Sequence, residues 1–219
     1  MNRQVAVSAI QSIVSKYKSI GTKDTKLLQA LTDGKLYELF VLSNVIENLR
    51  QRGFKLTFQG STLKFKASPG QIKLSDPHFL ISCPQGPDWR LFVDIEFETL
   101  GSTQSQGGHD NSLRHEIDIV VVAATSGYPK HNQIALGIEC KAHANFSKSI
   151  VKEVLGVRRE LSLLTDSVPS KLTLCGSSPP ENVRADPSSE YWLTYTDPKG
   201  DQYQSSPSAF SIDFKNLRP

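Results

Sequence analysis

The apolar positions of this chain change their period along its length. In "MNRQVAVSAIQSIVSKYKSI", Val7, Ile10, Ile13, Val14, Tyr17 and Ile20 recur at helical spacing and predict an amphipathic helix rather than a continuous apolar block. "GTKDTKLLQALTDG" carries turn residues at both ends, with a short helix between them. "KLYELFVLSNVIENLRQRGF" then sets Leu36, Leu39, Phe40, Val41, Leu42, Val45, Ile46 and Leu49 on a helix, with Thr32 or Asp33 as cap and Gly53 as terminator. From Phe54 the period falls to two. "FKLTF" and "TLKFKA" around "QGS" predict a hairpin, and "PHFLIS" and "RLFVDIEFETL" continue the strand signals. "GSTQSQGGHDNSLR" (101–114) has almost no apolar content and predicts a long mobile loop.

The second half begins with "HEIDIVVVAA", an apolar strand of the kind buried inside a sheet, followed by a turn around "TSGYPKHNQ" and the strand "IALGIECK". Leu155, Val157, Leu161, Leu163 and Leu164 in "SKSIVKEVLGVRRELSLL" mark another helix, and "KLTLCG" another strand. "SSPPENVRADPSSE" reads as a polar link, and "YWLTYTD" and "SAFSIDFKNL" as two further strands. The order in the middle of the chain, helix, three strands, helix, strand, is that of an α/β fold.

A chain of 219 residues, 38% hydrophobic and 21% charged, has ordinary globular composition and supports one domain with elaborations. The net charge of +3 permits a polyanionic partner without demanding one. Cys83, Cys140 and Cys175 are odd in number and widely spaced, so they read as reduced thiols rather than a disulfide framework or a zinc site. No apolar run approaches the roughly 18 residues of a membrane span, and a cytoplasmic protein is expected.

The chemistry concentrates in "IECK". On a strand, Glu139 and Lys141 leave the same face while Cys140 points oppositely. An acid-x-lysine pattern alone is uninformative: it also occurs at Asp24, Asp33, Asp197 and Asp213. Here, however, a buried-type strand precedes it, a helix follows it, and a hairpin brings Asp118 alongside. Two carboxylates that close need a positive partner, and a divalent cation such as Mg²⁺ suits oxygen ligands. Lys141 beside it could orient or deprotonate a water and stabilise charge on a phosphoryl group, which is the chemistry of phosphodiester hydrolysis. The plain alternative is a salt bridge at a strand end between Lys141 and Asp118 or Glu139.

With Glu38 on the first long helix, "HEIDIVV" and "GIECKA" resemble the PD-(D/E)XK nuclease superfamily over residues 35–176. The resemblance implies a restriction-endonuclease-like core with a mixed central sheet, flanked by an N-terminal helical extension (1–34) and C-terminal strands (177–219). It implies Asp118 and Glu139 as metal ligands, the Cys140 carbonyl as a further one, Lys141 as the catalytic lysine and Glu38 as an assisting ligand. Mg²⁺ is the expected cofactor, with Mn²⁺ able to substitute. The implied activity is endonucleolytic cleavage of DNA, in restriction or defence, leaving 5′-phosphate ends. The helix after Lys141 lacks the Gln-x-x-x-Tyr pattern of the RecB-like exonuclease branch.

Other residues carry two readings each. Glu116 is an extra ligand or an exposed strand-end acid, and Asp94, Glu96 and Glu98 share the solvent side of an edge strand unless one joins the metal. Lys148, Lys152 and Arg159 line a phosphate-contacting helix face or a solvated one, and His143 touches a phosphate or is incidental. Two alternatives to the DNA endonuclease stand: a catalytically silent nucleic-acid-binding or assembly subunit, and a nuclease for RNA or branched DNA. A homodimer would allow both strands of a duplex to be cut, and an unidentified regulatory or assembly partner is a further expectation.

Overall fold

The structure, a computed structural model, describes residues 1–66, 68–83, 86–104, 110–123, 125–142, 145–172 and 181–219. Helices α1 (Arg3–Val14) and α2 (Thr22–Ala30) lead into α3 (Asp33–Gln51), which Thr32 opens by accepting a hydrogen bond from the Lys35 amide at 3.3 Å. Seven strands form one mixed sheet: β1 (Lys55–Gln59), β2 (His78–Ser82), β3 (Trp89–Glu98), β4 (Arg114–Ala123), β5 (Ile134–Lys141), β8 (Glu190–Tyr195) and β9 (Ile212–Asn216). They lie in that order, antiparallel from β1 to β5 and parallel from β5 through β8 to β9. The short helix α4 (Leu100–Gln104) follows β3, and α5 (Lys148–Leu161) follows β5. Strands β6 (Leu163–Pro169) and β7 (Asn182–Asp186) pair as a separate ribbon.

The sheet is covered on both faces, the arrangement that lets a mixed sheet bury continuous apolar strands. On one face, α1 and α3 contribute Ile10, Leu36, Val45 and Leu49 to a core shared with Leu91, Val93, Ile119, Val121 and Ile138. On the other, Val154, Val157 and Leu161 of α5 pack on Ile95, Phe97, Ile117, Val120 and Tyr191. At the far end of α3, the Arg52 guanidinium forms a buried fork on Glu190 of β8, at 3.0 and 3.2 Å. No described helix is long and apolar enough to cross a membrane.

Several expectations are corrected. β1 pairs with β2, not with "TLKFKA", because Leu63 and Phe65 pack on the α3-side core from bends instead of extending a hairpin. α5 ends at Leu161, so Leu163 and Leu164 are exposed ribbon residues; their apolar character continued the helical period without any core to enter. The polar link contains β7. β3 is an interior strand rather than an edge. Cys83 is disulfide-bonded, while Cys140 is free; sequence spacing carries no information on which thiols approach in space. Within the expected 101–114 loop, Leu100–Gln104 is helical, Asn111–Leu113 forms a 3-10 turn, and 105–109 lies outside the described residues. Lys171 and Leu172 of "KLTLCG" form a turn, the rest of that segment lies outside the described residues, and the parallel neighbour of β5 is β8.

Candidate metal centre

Strands β3 and β4 exchange faces at facing positions. Leu91 and Val93 belong to the α3-side core, whereas Ile95 and Phe97 belong to the α5-side core. On β4, Ile119 and Val121 face α3 and Ile117 faces α5. Strict alternation therefore fails at Asp94 and at Asp118, which stand opposite each other between the pairs Val93↔Ile119 and Ile95↔Ile117. Asp94 has φ +51°, the left-handed region that Asp tolerates better than most residues. The break turns both carboxylates toward the N-terminal end of α3.

Glu38 meets them there. One carboxylate oxygen from each of Glu38, Asp94 and Asp118 lies within 4.8 Å of the others. Lys35, one helical turn before Glu38, donates to Glu38 at 2.5 Å and also to Asp94. Three carboxylates against one ammonium leave two formal negative charges unbalanced. Burial pushes the Glu38 carboxyl up to about 7, with the Asp118 charge adding to it. Burial likewise raises Asp118 to about 6, although its hydrogen bond from the Cys140 amide opposes the rise. Asp94 is also raised by burial against the pull of Lys35. Burial disfavours the Lys35 charge, but Asp94 and Glu38 outweigh it and hold the ammonium above its ordinary range.

The β4–β5 ladder ends at Ile119↔Ile138, so the strands part beside Asp118. The Asp118 carboxylate accepts the Cys140 N–H at 2.6 Å in place of a backbone partner. Glu139 and Lys141 project from β5 toward α5. Lys141 Nζ lies 3.3 Å from Glu139 and 2.6 Å from Glu153 on α5. Burial raises Glu139 well above the usual carboxylate range, and the nearby Asp118 charge acts in the same direction. Lys141 is held protonated: Glu139 and Glu153 more than offset the effect of its burial.

Thus Glu38 and Asp118 of the sequence-derived set converge, Glu139 and Lys141 form a pair one strand away, and Asp94 completes the acidic trio. A strict period-two reading grouped Asp94 with Glu96 and Glu98; the usable signal was an acid directly after the apolar run "LFV", facing Asp118 across a meander. Glu116 is exposed and lines the same cavity of about 510 Å³, together with Thr32, Lys35, Pro69 and the trio. Cys140 pairs with Thr194 of β8, and its amide is committed to Asp118. Lys148 and Lys152 line a different cavity with Tyr203 and Pro207, while Arg159 lies over Phe210 at 5.3 Å. His143 lies outside the described residues.

Three carboxylate oxygens, from buried Asp94 and half-buried Glu38 and Asp118, lie within 4.8 Å of one another and form a hard-oxygen donor set that fits Mg²⁺ or Mn²⁺ better than a thiophilic metal. Their raised pKa values express an electrostatic cost that a divalent cation would remove. Comparison with known proteins finds no matching family model, no matching curated protein and no matching solved structure.

Proposed function

We propose that this chain is a divalent-metal-dependent nuclease of the PD-(D/E)XK type, with a restriction-endonuclease-like core built on α3, β3, β4, β5, α5 and β8, acting on DNA. The observation that carries the reading is the convergence of Glu38, Asp94 and Asp118 where β4 and β5 part, beside the Glu139–Lys141 pair. In this reading Asp118, Asp94 and Glu38 hold the cation, with Glu139 and the Cys140 carbonyl next to them on β5. A cation bound there supplies Lewis-acid charge at the phosphate and increases the acidity of water.

The remaining steps fall to the chain's own groups. Lys141, kept charged by its two carboxylate neighbours, is suited to stabilise charge developing on a phosphoryl oxygen rather than to accept a proton. Glu38, with its carboxyl raised to about 7, can take up or release a proton near neutrality. The Cys140 amide fixes the orientation of Asp118.

A second reading, a silent nucleic-acid-binding or assembly subunit of the same fold, draws support from Lys35, whose ammonium already partly neutralises the trio. The deciding experiment incubates supercoiled plasmid, linear duplex, single-stranded DNA and RNA with Mg²⁺, Mn²⁺ or EDTA. Asp118→Asn and Lys141→Ala proteins run alongside. Metal-dependent cutting by wild type that both variants lose supports the nuclease and identifies its substrate. No cutting, and no calorimetric Mn²⁺ binding, supports the silent subunit.

A further inference from the structure

Beyond Asp94, the outer edge of β3 is no longer paired with β2. Two loop segments take its place: the Glu96 amide donates to the Gly70 carbonyl at 3.0 Å, and the Glu98 amide to the Pro129 carbonyl at 2.8 Å. The segments are locked together by reciprocal bonds between Ile72 and Gly127, at 2.7 and 3.0 Å, and the buried Ile72 side chain anchors them in the α5-side core. They form a fixed wall beside the acidic trio rather than a free loop.

This wall presents cations. Lys66 donates to the Gln71 carbonyl, lies 3.9 Å from Asp76, and is within electrostatic reach of both Asp94 and Lys73. Lys73 is exposed and has no ion-pair partner among the described residues. The Arg114 guanidinium lies over the Tyr128 ring at 3.8 Å, also without a carboxylate partner among the described residues, so stacking fixes its plane and leaves its N–H donors available. Lys66, Lys73 and Tyr128 line a cavity of about 380 Å³ that shares Pro69 with the cavity of the trio. The two cavities are therefore neighbouring compartments. The cavity beside Lys148 and Lys152 on α5 shares no lining residue with either.

A cation already in place near the trio, followed by further unpaired cations leading away from it, matches the repeating charge of a polynucleotide strand. We propose that Lys66, Lys73 and Arg114, the last held by Tyr128, form a subsite for the phosphodiester backbone flanking the bond to be cut. The location rests on the nuclease reading, but strand binding can be measured without cleavage.

The test is fluorescence anisotropy of a labelled duplex and a labelled single-stranded oligonucleotide in EDTA, over salt from roughly 50 to 200 mM. Wild type is compared with Lys73→Gln, Arg114→Gln, the double variant, and Lys55→Gln on β1 as a surface control. Melting temperatures verify folding, and Lys73→Arg tests rescue. The double variant should bind at least about tenfold more weakly, with its log–log salt slope reduced by about 2, one for each lost phosphate contact. Lys55→Gln should match wild type and Lys73→Arg should restore binding.

Unchanged affinity and slope in the double variant overturn the subsite while leaving the nuclease untouched if plasmid is still cut. Binding that depends on these residues, with neither metal-dependent cleavage nor Mn²⁺ binding, supports backbone binding at this wall and the silent-subunit reading over the nuclease. Wild type that binds neither oligonucleotide overturns the subsite.

Discussion

Asp94 stands opposite Asp118 at the point where β3 and β4 both exchange faces, so backbone geometry, more than rotamer choice, aims the two carboxylates at Glu38. Asn tolerates the left-handed conformation of position 94 nearly as well as Asp. Asp94→Asn should therefore fold normally while binding Mn²⁺ at least about tenfold more weakly, with cleavage falling in parallel. Calorimetry with Mn²⁺ and a plasmid assay check this. Full metal affinity in the variant would remove Asp94 from the centre.

Lys35 competes with any metal for Glu38 and Asp94. Lys35→Met should lower the stability of the metal-free protein by roughly 1–3 kcal/mol, the scale of hydrogen bonds to charged groups. It should also tighten Mn²⁺ binding, by about tenfold for each 1.4 kcal/mol of competition removed. Thermal melts with and without Mn²⁺ measure both effects; weaker metal binding in the variant would instead make Lys35 part of the bound state.

The raised pKa of Glu38 sets the sign of a pH effect. Without metal, native Glu38 keeps its proton up to about 7, whereas the unfolded chain releases it in the ordinary carboxyl range. The folded state binds more protons over that window, so this contribution is complete below the ordinary range and is lost as pH rises through about 7. It amounts to about 3 kcal/mol at 1.36 kcal/mol per unit. Urea midpoints in EDTA between pH 4.5 and 7.5 should show wild type losing stability relative to Glu38→Gln. A parallel pair of curves would contradict the assignment.

Glu190 receives a buried fork from Arg52 and a hydrogen bond from Ser170 at 2.7 Å. Glu190→Ala removes the buried carboxylate of the fork, while Arg52 keeps the exposed Glu181 at 3.7 Å, and should cost up to about 3–5 kcal/mol in denaturant unfolding. A loss below 1 kcal/mol would mean that the pair is solvated.

Long apolar periods were legible because burial of a continuous stripe leaves little choice: α3, β4 and β5 lie where their spacing places them, and so does α1 as far as Val14, with Tyr17 and Ile20 beyond its end. Asp118 and the Glu139–Lys141 pair were legible for a related reason, since charges among apolar strand residues require partners, whereas Glu38, on α3, came only from the family resemblance. Asp94 was not, because one positive φ resets the alternation on which the reading depends. β8 was assigned to an extension and β7 to a link, because the partner of a strand is decided by long-range packing that local spacing does not encode.

The buried fork joins residues 138 positions apart in the chain, and β8 pairs along the outer edge of β5. During vectorial synthesis, the trio's strands leave the ribosome well before the segment that pairs with β5. For that interval an apolar strand edge stands open beside the half-built centre, a template for misplaced pairing. Completion of the sheet waits for β8 and β9, which follow all its other strands in the chain, and this makes the fold dependent on high-contact-order closure and slow to commit.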